Sequence, residues 1–360
     1  MKTDVSTENL KKGAYWTIIL VGAVFSLIYF RSFLEPIVLA LLVWYLIRTT
    51  RKYIAKLTIG GRSLPQWLQR VVAFLLTVSF IYGVYQIISV NISLITANSD
   101  SYDKNLRLFL AQMREFTGRY DFIPNIEDAI QSIDYQSILS KIFNSLSVAL
   151  GNFALVIVYV VFFLIEENYL DQKLKNMFRK EGSRENVAVI FDRISNSINK
   201  YFTVKTEVSL LTGTISYLLL LALGVDFPVL WAFIIFVLNF IPYLGSLVAT
   251  LLPAIFSIFQ FASFWPFLYV FLIIEAVQIF VGNYVEPKLM GRTLNLSPLV
   301  VLIALSFWGS IWGILGMILS VPVISVIVIV SAQFKSTRGL AVLLSENGNL
   351  SNIEQPDDEV

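Results

Sequence analysis

Residues 227–274 form a run of 48 positions without a charged side chain, and residues 293–334 form a second run of 42. A straight helix of 48 residues would be roughly 72 Å long. The hydrocarbon core of a bilayer is only about 30 Å thick. Each run therefore has to turn back on itself. In the first run the turn chemistry lies in "NFIPYLGSLVATLLPAIF" (239–256). Pro242 removes a backbone donor and clashes with the preceding turn, and Gly245 permits the backbone angles of a tight reversal. The flanking arms, 228–241 and 246–262, have 14 and 17 residues. They would reach roughly 21 and 25 Å, a little short of a crossing. This predicts a re-entrant hairpin with its tip at Pro242 and Gly245. In the second run "WGSIWGILGMILSVP" supplies Gly309, Gly313, Gly316 and Pro322, which predicts a second tip at Gly313 and Gly316.

The two runs echo each other. Pro228, Gly245 and Pro253 match Pro298, Gly316 and Pro322 at an offset of about 70 residues, and each run follows a single apolar span. If each hairpin leaves the membrane on the side it enters, the two units have opposite orientation, as in many secondary transporters. Lys288 and Arg292 in the intervening loop then fall in the cytoplasm, in keeping with the positive-inside rule. Irregular backbone at membrane depth is tolerated where protein buries it or where it lines a cavity. Two similar broken units therefore point to a site; the structural alternative is a pair of packing kinks.

Composition agrees with a membrane setting. The chain is 56% hydrophobic and 14% charged, where soluble proteins carry about a quarter charged residues. Its net charge of +2 gives no argument for nucleic acid. It has no Cys and no His, which removes disulfides, thiolate and His-based metal sites and the common nucleophilic triads. No cofactor motif stands out, and an enzyme is not expected.

Along the chain, residues 1–90 read as a scaffold of three spans (14–30, 33–47 and 71–90), the first retained rather than cleaved as a signal peptide. Between the second and third, residues 48–70 hold six Lys/Arg and no acid, which places that loop and the N-terminus in the cytoplasm. Residues 91–145 read as a small helical extracytoplasmic domain, or as a long loop folded onto the membrane surface. Residues 146–207 give a fourth span and then a cytoplasmic amphipathic helix. That helix has Ile190, Ile194, Ile198 and Tyr201 on one face, suited to the membrane interface or to packing against protein. Residues 208–263 and 264–334 are the two span-plus-hairpin units, and 335–360 is expected to be a largely disordered cytoplasmic tail. The fold class is an all-α polytopic membrane protein with about eight membrane segments.

The clearest candidate site residue is Glu275, inside "FLYVFLIIEAVQIFVGNYV". A carboxylate within a span is costly and is a functional hypothesis by default. Gln278, Gly282 and Glu286 follow on the same helical face, with Asn283 nearby. The stripe suits a proton or cation relay; the structural alternative is an inter-helix hydrogen bond. Glu286 could equally cap the loop with Lys288. Asn239 could hydrogen-bond backbone freed by Pro242 or contact substrate.

"LGVDFPVLWAFIIFVLNFIPYLGSLVATLLPAIF" and "NYVEPKLMGRTLNLSPLVVLIALSFWGSIWGILGMILSVPVISVI" resemble the two signature regions of the AI-2E, or autoinducer-2 exporter-like, family. "FLEPIVLALLVWYLI" resembles its second span. Where many members carry an acidic residue in the turn before Asn283, Val281 stands here, and Glu275 lies further back in the same span. The resemblance implies a multi-pass plasma-membrane homo-oligomer. It would export a small polar signalling metabolite such as autoinducer-2, or exchange sodium or another monovalent cation for protons. A channel or a non-transporting scaffold is the rival from another class.

Overall fold

The computed structural model describes residues 2–56, 58–59, 62–117, 153–177, 181–291 and 295–350. Helix α1 (Lys2–Tyr29) leads into α2 (Arg31–Ala55) through the single residue Phe30. A minimal antiparallel pair, β1 (Thr58–Ile59) and β2 (Arg62–Ser63), then turns the chain into α3 (Gln66–Ala97). Pro65 stands immediately before α3, where a missing N–H costs nothing. α4 (Ser99–Thr117) follows, with Asp100 in its first turn, where a negative charge complements the helix dipole. After the undescribed stretch come α5 (Phe153–Met177) and α6 (Glu181–Ala222). The first hairpin is α7 (Pro228–Leu238) and α8 (Leu244–Phe261). Next is α9 (Phe264–Phe280), a π-helical segment (Val281–Val285) and the short α10 (Glu286–Met290). α11 (Pro298–Gln333) and α12 (Arg338–Leu344) close the fold.

Among the described residues six helices are long and apolar enough to cross a membrane, with two shorter apolar helices, Gly13–Tyr29 and Pro228–Leu238, beside them. Large apolar side chains stay exposed along whole helix faces, such as Ile18, Phe25 and Ile28 on α1 and Leu75, Phe80 and Tyr82 on α3. Faces this apolar are covered by lipid rather than water. The helices satisfy their own backbone groups, as a bilayer requires. The chain is thus an all-α polytopic membrane protein.

Among the described residues five apolar clusters hold the bundle, three of them at the centre of the helix packing. α2, α3 and α5 meet at Ala40, Ile47, Ala73 and Val160. The end of α6, the first hairpin and α9 meet at Leu220, Trp231, Ala249, Phe256 and Ile274. The middle of α6, the π segment and α11 meet at Tyr201, Val208, Val281, Trp312 and Val321.

Several expectations change in the folded chain. The cytoplasmic amphipathic helix and the fifth span are one continuous helix, α6, of 42 residues. Of the two readings of its first half, packing against protein holds for Ile190 and Ile194, which pack on Val328, Ile329 and Ala341. The tail is not disordered from residue 335, because α12 docks there and Leu350 is buried in the same cluster. Residues 351–360 lie outside the described part, as do 118–145 of the expected extracytoplasmic domain and 146–152 at the start of the expected fourth span. Of that domain, 91–97 continue the third helix and α4 folds onto the first hairpin. There the Tyr102 ring meets Phe256 at 5.2 Å, its hydroxyl donates to Asp226 at 3.1 Å, and Asn105 donates to the Gln260 carbonyl at 2.8 Å.

Candidate functional site

The first hairpin reverses over Asn239–Tyr243, where Tyr243 takes a positive φ of 60°. Gly245 serves the tip differently from the expectation. Its own φ is not positive; instead a Cβ there would stand 1.9 Å from the Leu238 carbonyl oxygen. The missing side chain lets the second arm close on the first. The second hairpin repeats the device. α11 is interrupted at Trp312 and Gly313, with Gly313 at φ 58°. A Cβ at Gly316 would stand 1.9 Å from the Trp308 carbonyl oxygen. In a straight helix, residues eight apart are about 12 Å apart along the axis, so the chain turns back here. The offset of about 70 residues seen in the sequence thus corresponds to two tips built on the same glycine-on-carbonyl contact. The Trp312 indole N–H reaches the Leu27 carbonyl of α1 at 3.3 Å.

Beside the first tip lies a cavity of about 510 Å³. The tip contributes Asn239, Pro242, Tyr243 and Ser246; α9, the π segment and α10 contribute Glu275, Gln278, Gly282, Asn283 and Glu286. All five candidate polar residues, from segments more than thirty positions apart, therefore line one space. The hairpin-tip residue Gly245 is not among the lining residues, and Gly313 and Gly316 belong to the other tip. A π turn packs more residues per turn than an α turn. Here it holds Gly282 and Asn283, consecutive residues, both against the cavity.

The polar groups are unequally satisfied. Among the described residues, Glu275 Oε2 and Gln278 Nε2 are buried without a hydrogen-bond partner. Native interiors rarely leave such atoms unpaired, and those left are candidates for ligand contact. Asn239 is buried and donates to Ser209 Oγ of α6 at 3.2 Å. It ties the tip to α6 rather than to the backbone around Pro242.

Glu286 does not pair with Lys288. Its partner is Lys205 of α6, with Nζ 2.5 Å from Oε1. The Lys205 side chain is only 7% exposed and that of Glu286 21%, and both line the cavity. Lys205 does not stand out in the sequence, because it sits in a segment whose pattern reads as interfacial. The available signal was its place on the same side of α6 as Tyr201 and Val208, which are buried.

A further contributor comes from the C-terminal segment. Leu296 bridges Ser345, Ser297 N–H donates to the Leu344 carbonyl at 3.1 Å, and Glu346 N–H donates to the Asn295 carbonyl at 3.3 Å. This clasp brings Asn295 and Glu346 to the rim of the cavity. Among the described residues, three carboxylates and one ammonium line it. Such a lining favours neutral polar or positively charged solutes and opposes anions.

A polytopic bundle with two broken helical hairpins and a polar cavity at one tip is the architecture of a membrane transporter. Comparison with known proteins agrees. The model of the AI-2E family of transporters matches residues 17–336, and the chain belongs to that family. It is 32% identical over 254 residues to a candidate transport protein of Borreliella burgdorferi, covering 70% of this chain and 69% of that one. It is 35% identical over 210 residues to the AI-2 transport protein TqsA of Escherichia coli K12, covering 58% and 60%. It is 30% identical over 246 residues to the candidate transport protein YhhT of the same organism, covering 68% and 69%.

Proposed function

We propose that this chain is a plasma-membrane secondary transporter whose 510 Å³ cavity is the transport site. The solute is small, polar, and neutral or positively charged. The observation that carries this reading is the convergence of Asn239, Glu275, Gln278, Asn283 and Glu286 on one cavity beside a helix break. A volume of this size falls within the roughly 300–1,000 Å³ of small-molecule sites. It exceeds what a bare monovalent ion fills. The name of the relative TqsA makes an autoinducer-2-like metabolite the first solute to try. Glu275 is the coupling carboxylate, and its unpartnered Oε2 also favours a second reading, exchange of a monovalent cation for protons.

In this reading the hairpins are re-entrant and move against a scaffold of α1–α3, whose exposed apolar faces also supply contacts in a homo-oligomer. The basic stretch 48–70 and both termini face the cytoplasm. The test uses purified protein in liposomes with an internal pH dye and a labelled metabolite. Wild type is expected to move solute, or protons in exchange for sodium, and Glu275→Gln to lose that coupling by at least about tenfold, as expected for an interaction worth about 1.4 kcal/mol or more. Flux uncoupled from any second gradient would make the chain a channel. Full activity in folded Glu275→Gln would remove Glu275 from the mechanism.

A further inference from the structure

We infer that Lys205 is the resident cation of the cavity, a tethered ammonium that an incoming monovalent cation must displace from Glu286. The inference rests on reading the cavity as the transport site. Its own footing is the ion pair. A lysine buried this deeply is strongly disfavoured unless paired, and Lys205 has its ammonium 2.5 Å from Glu286 Oε1. The pair does not lie in a sealed core, because both residues line the cavity that also holds Glu275 and Glu346. The Glu286 carboxylate is thus held by a protein ammonium and stands at the wall of the cavity.

Hard monovalent cations seek oxygen ligands. The oxygen-bearing side chains that line the cavity include those of Glu286, Glu275, Gln278 and Asn283. An ammonium seeks the same oxygens, so the two compete at Glu286. When a cation enters, the ammonium swings off Glu286 into the cavity with its charge unchanged. When the cation leaves, Lys205 returns and the carboxylate is again neutralised. The empty carrier therefore never presents three uncompensated carboxylates, and Lys205 sets how tightly a cation is held. A purely structural ion pair would keep its ammonium on Glu286 when a cation binds, so the release of Lys205 is what separates the two.

The experiment is equilibrium binding of radioactive sodium to purified full-length protein in nanodiscs, at constant ionic strength set with choline. Wild type, Lys205→Gln, Lys205→Arg and Glu286→Gln are compared, each checked for folding by its thermal melt. Lys205→Gln is expected to bind sodium at least about tenfold more tightly than wild type, Lys205→Arg close to wild type, and Glu286→Gln much more weakly. A second readout needs no variant: sodium should raise the labelling of Lys205 by a small amine-reactive reagent, read by mass spectrometry, with choline as the control. Sodium binding in wild type that neither tightens in Lys205→Gln nor changes Lys205 labelling overturns the inference and leaves the transport reading standing. Should Lys205→Gln not fold, the labelling result decides alone. No sodium binding in any folded variant overturns both this inference and the cation reading, while flux of a neutral metabolite would still support the cavity as a transport site.

Discussion

A methyl group on Gly245 would stand 1.9 Å from the Leu238 carbonyl oxygen, and one on Gly316 the same distance from that of Trp308. Neither carbonyl can move aside easily, since both belong to helix backbone. Gly245→Ala and Gly316→Ala should therefore each cost roughly 1–3 kcal/mol, the usual penalty of overpacking. The apparent Tm in detergent should fall by several degrees. Gly83→Ala is the control, because a Cβ there meets nothing within 4 Å, and in a helix interior it should be neutral or slightly stabilising. Equal melting of all three variants would remove the tips as points of close approach. At this scale the sequence was informative about which residues matter and less so about why. Gly245 was expected to supply unusual backbone angles, but Tyr243 adopts the positive φ and Gly245 supplies the missing side chain. Sequence spacing cannot separate these roles, because both need glycine-like freedom within one turn.

At the scale of elements, α4 is held to the base of the first hairpin by the Tyr102 hydroxyl on Asp226. Burial first, and then the neighbouring Asp226 charge and hydrogen bond, push the Tyr102 hydroxyl well above the ordinary tyrosine value. Because the folded-state pKa is raised, the stabilisation is complete below about pH 10, the ordinary value, and is lost as pH rises beyond it. Thermal melts of wild type and Tyr102→Phe between pH 8 and 11 test this. The difference between them should be constant up to about pH 10 and then shift against the wild type. A pH-independent difference would detach Tyr102 ionisation from the docking of α4. Gln260 completes the clasp, donating to the Gly224 carbonyl and accepting from the Asp226 N–H, each at 2.8 Å. Element boundaries were only partly legible. The charge and polarity of the first half of α6 suggested a separate interfacial helix, since nothing local announces that Ile190 and Ile194 find partners on α11 and α12.

For the whole molecule, the proposed transport reading rests on the cavity, and the absence of cysteine makes its access measurable. Ser246 lines the cavity at the first tip. In sealed vesicles, Ser246→Cys is expected to react with a membrane-impermeant thiol reagent from the side that holds residues 48–70. Transported solute or sodium should slow that reaction several-fold. Labelling at an unchanged rate under every ligand and gradient would count against movement of the hairpin during transport.

What the sequence determined by itself was local: the apolar spans, the two breaks, their offset of about 70 residues and the polar stripe from Glu275 to Glu286. Length against bilayer thickness and the chemistry of proline and glycine act within a few turns, so a linear reading can reach them. Only the tertiary structure decided which charges meet. Lys205 rather than Lys288 neutralises Glu286, Ser209 receives Asn239, and the segment after α12 carries Glu346 to the rim. These pairings join helices far apart in the chain. They follow from how the apolar faces pack, which fixes the polar groups in register only once the bundle has closed.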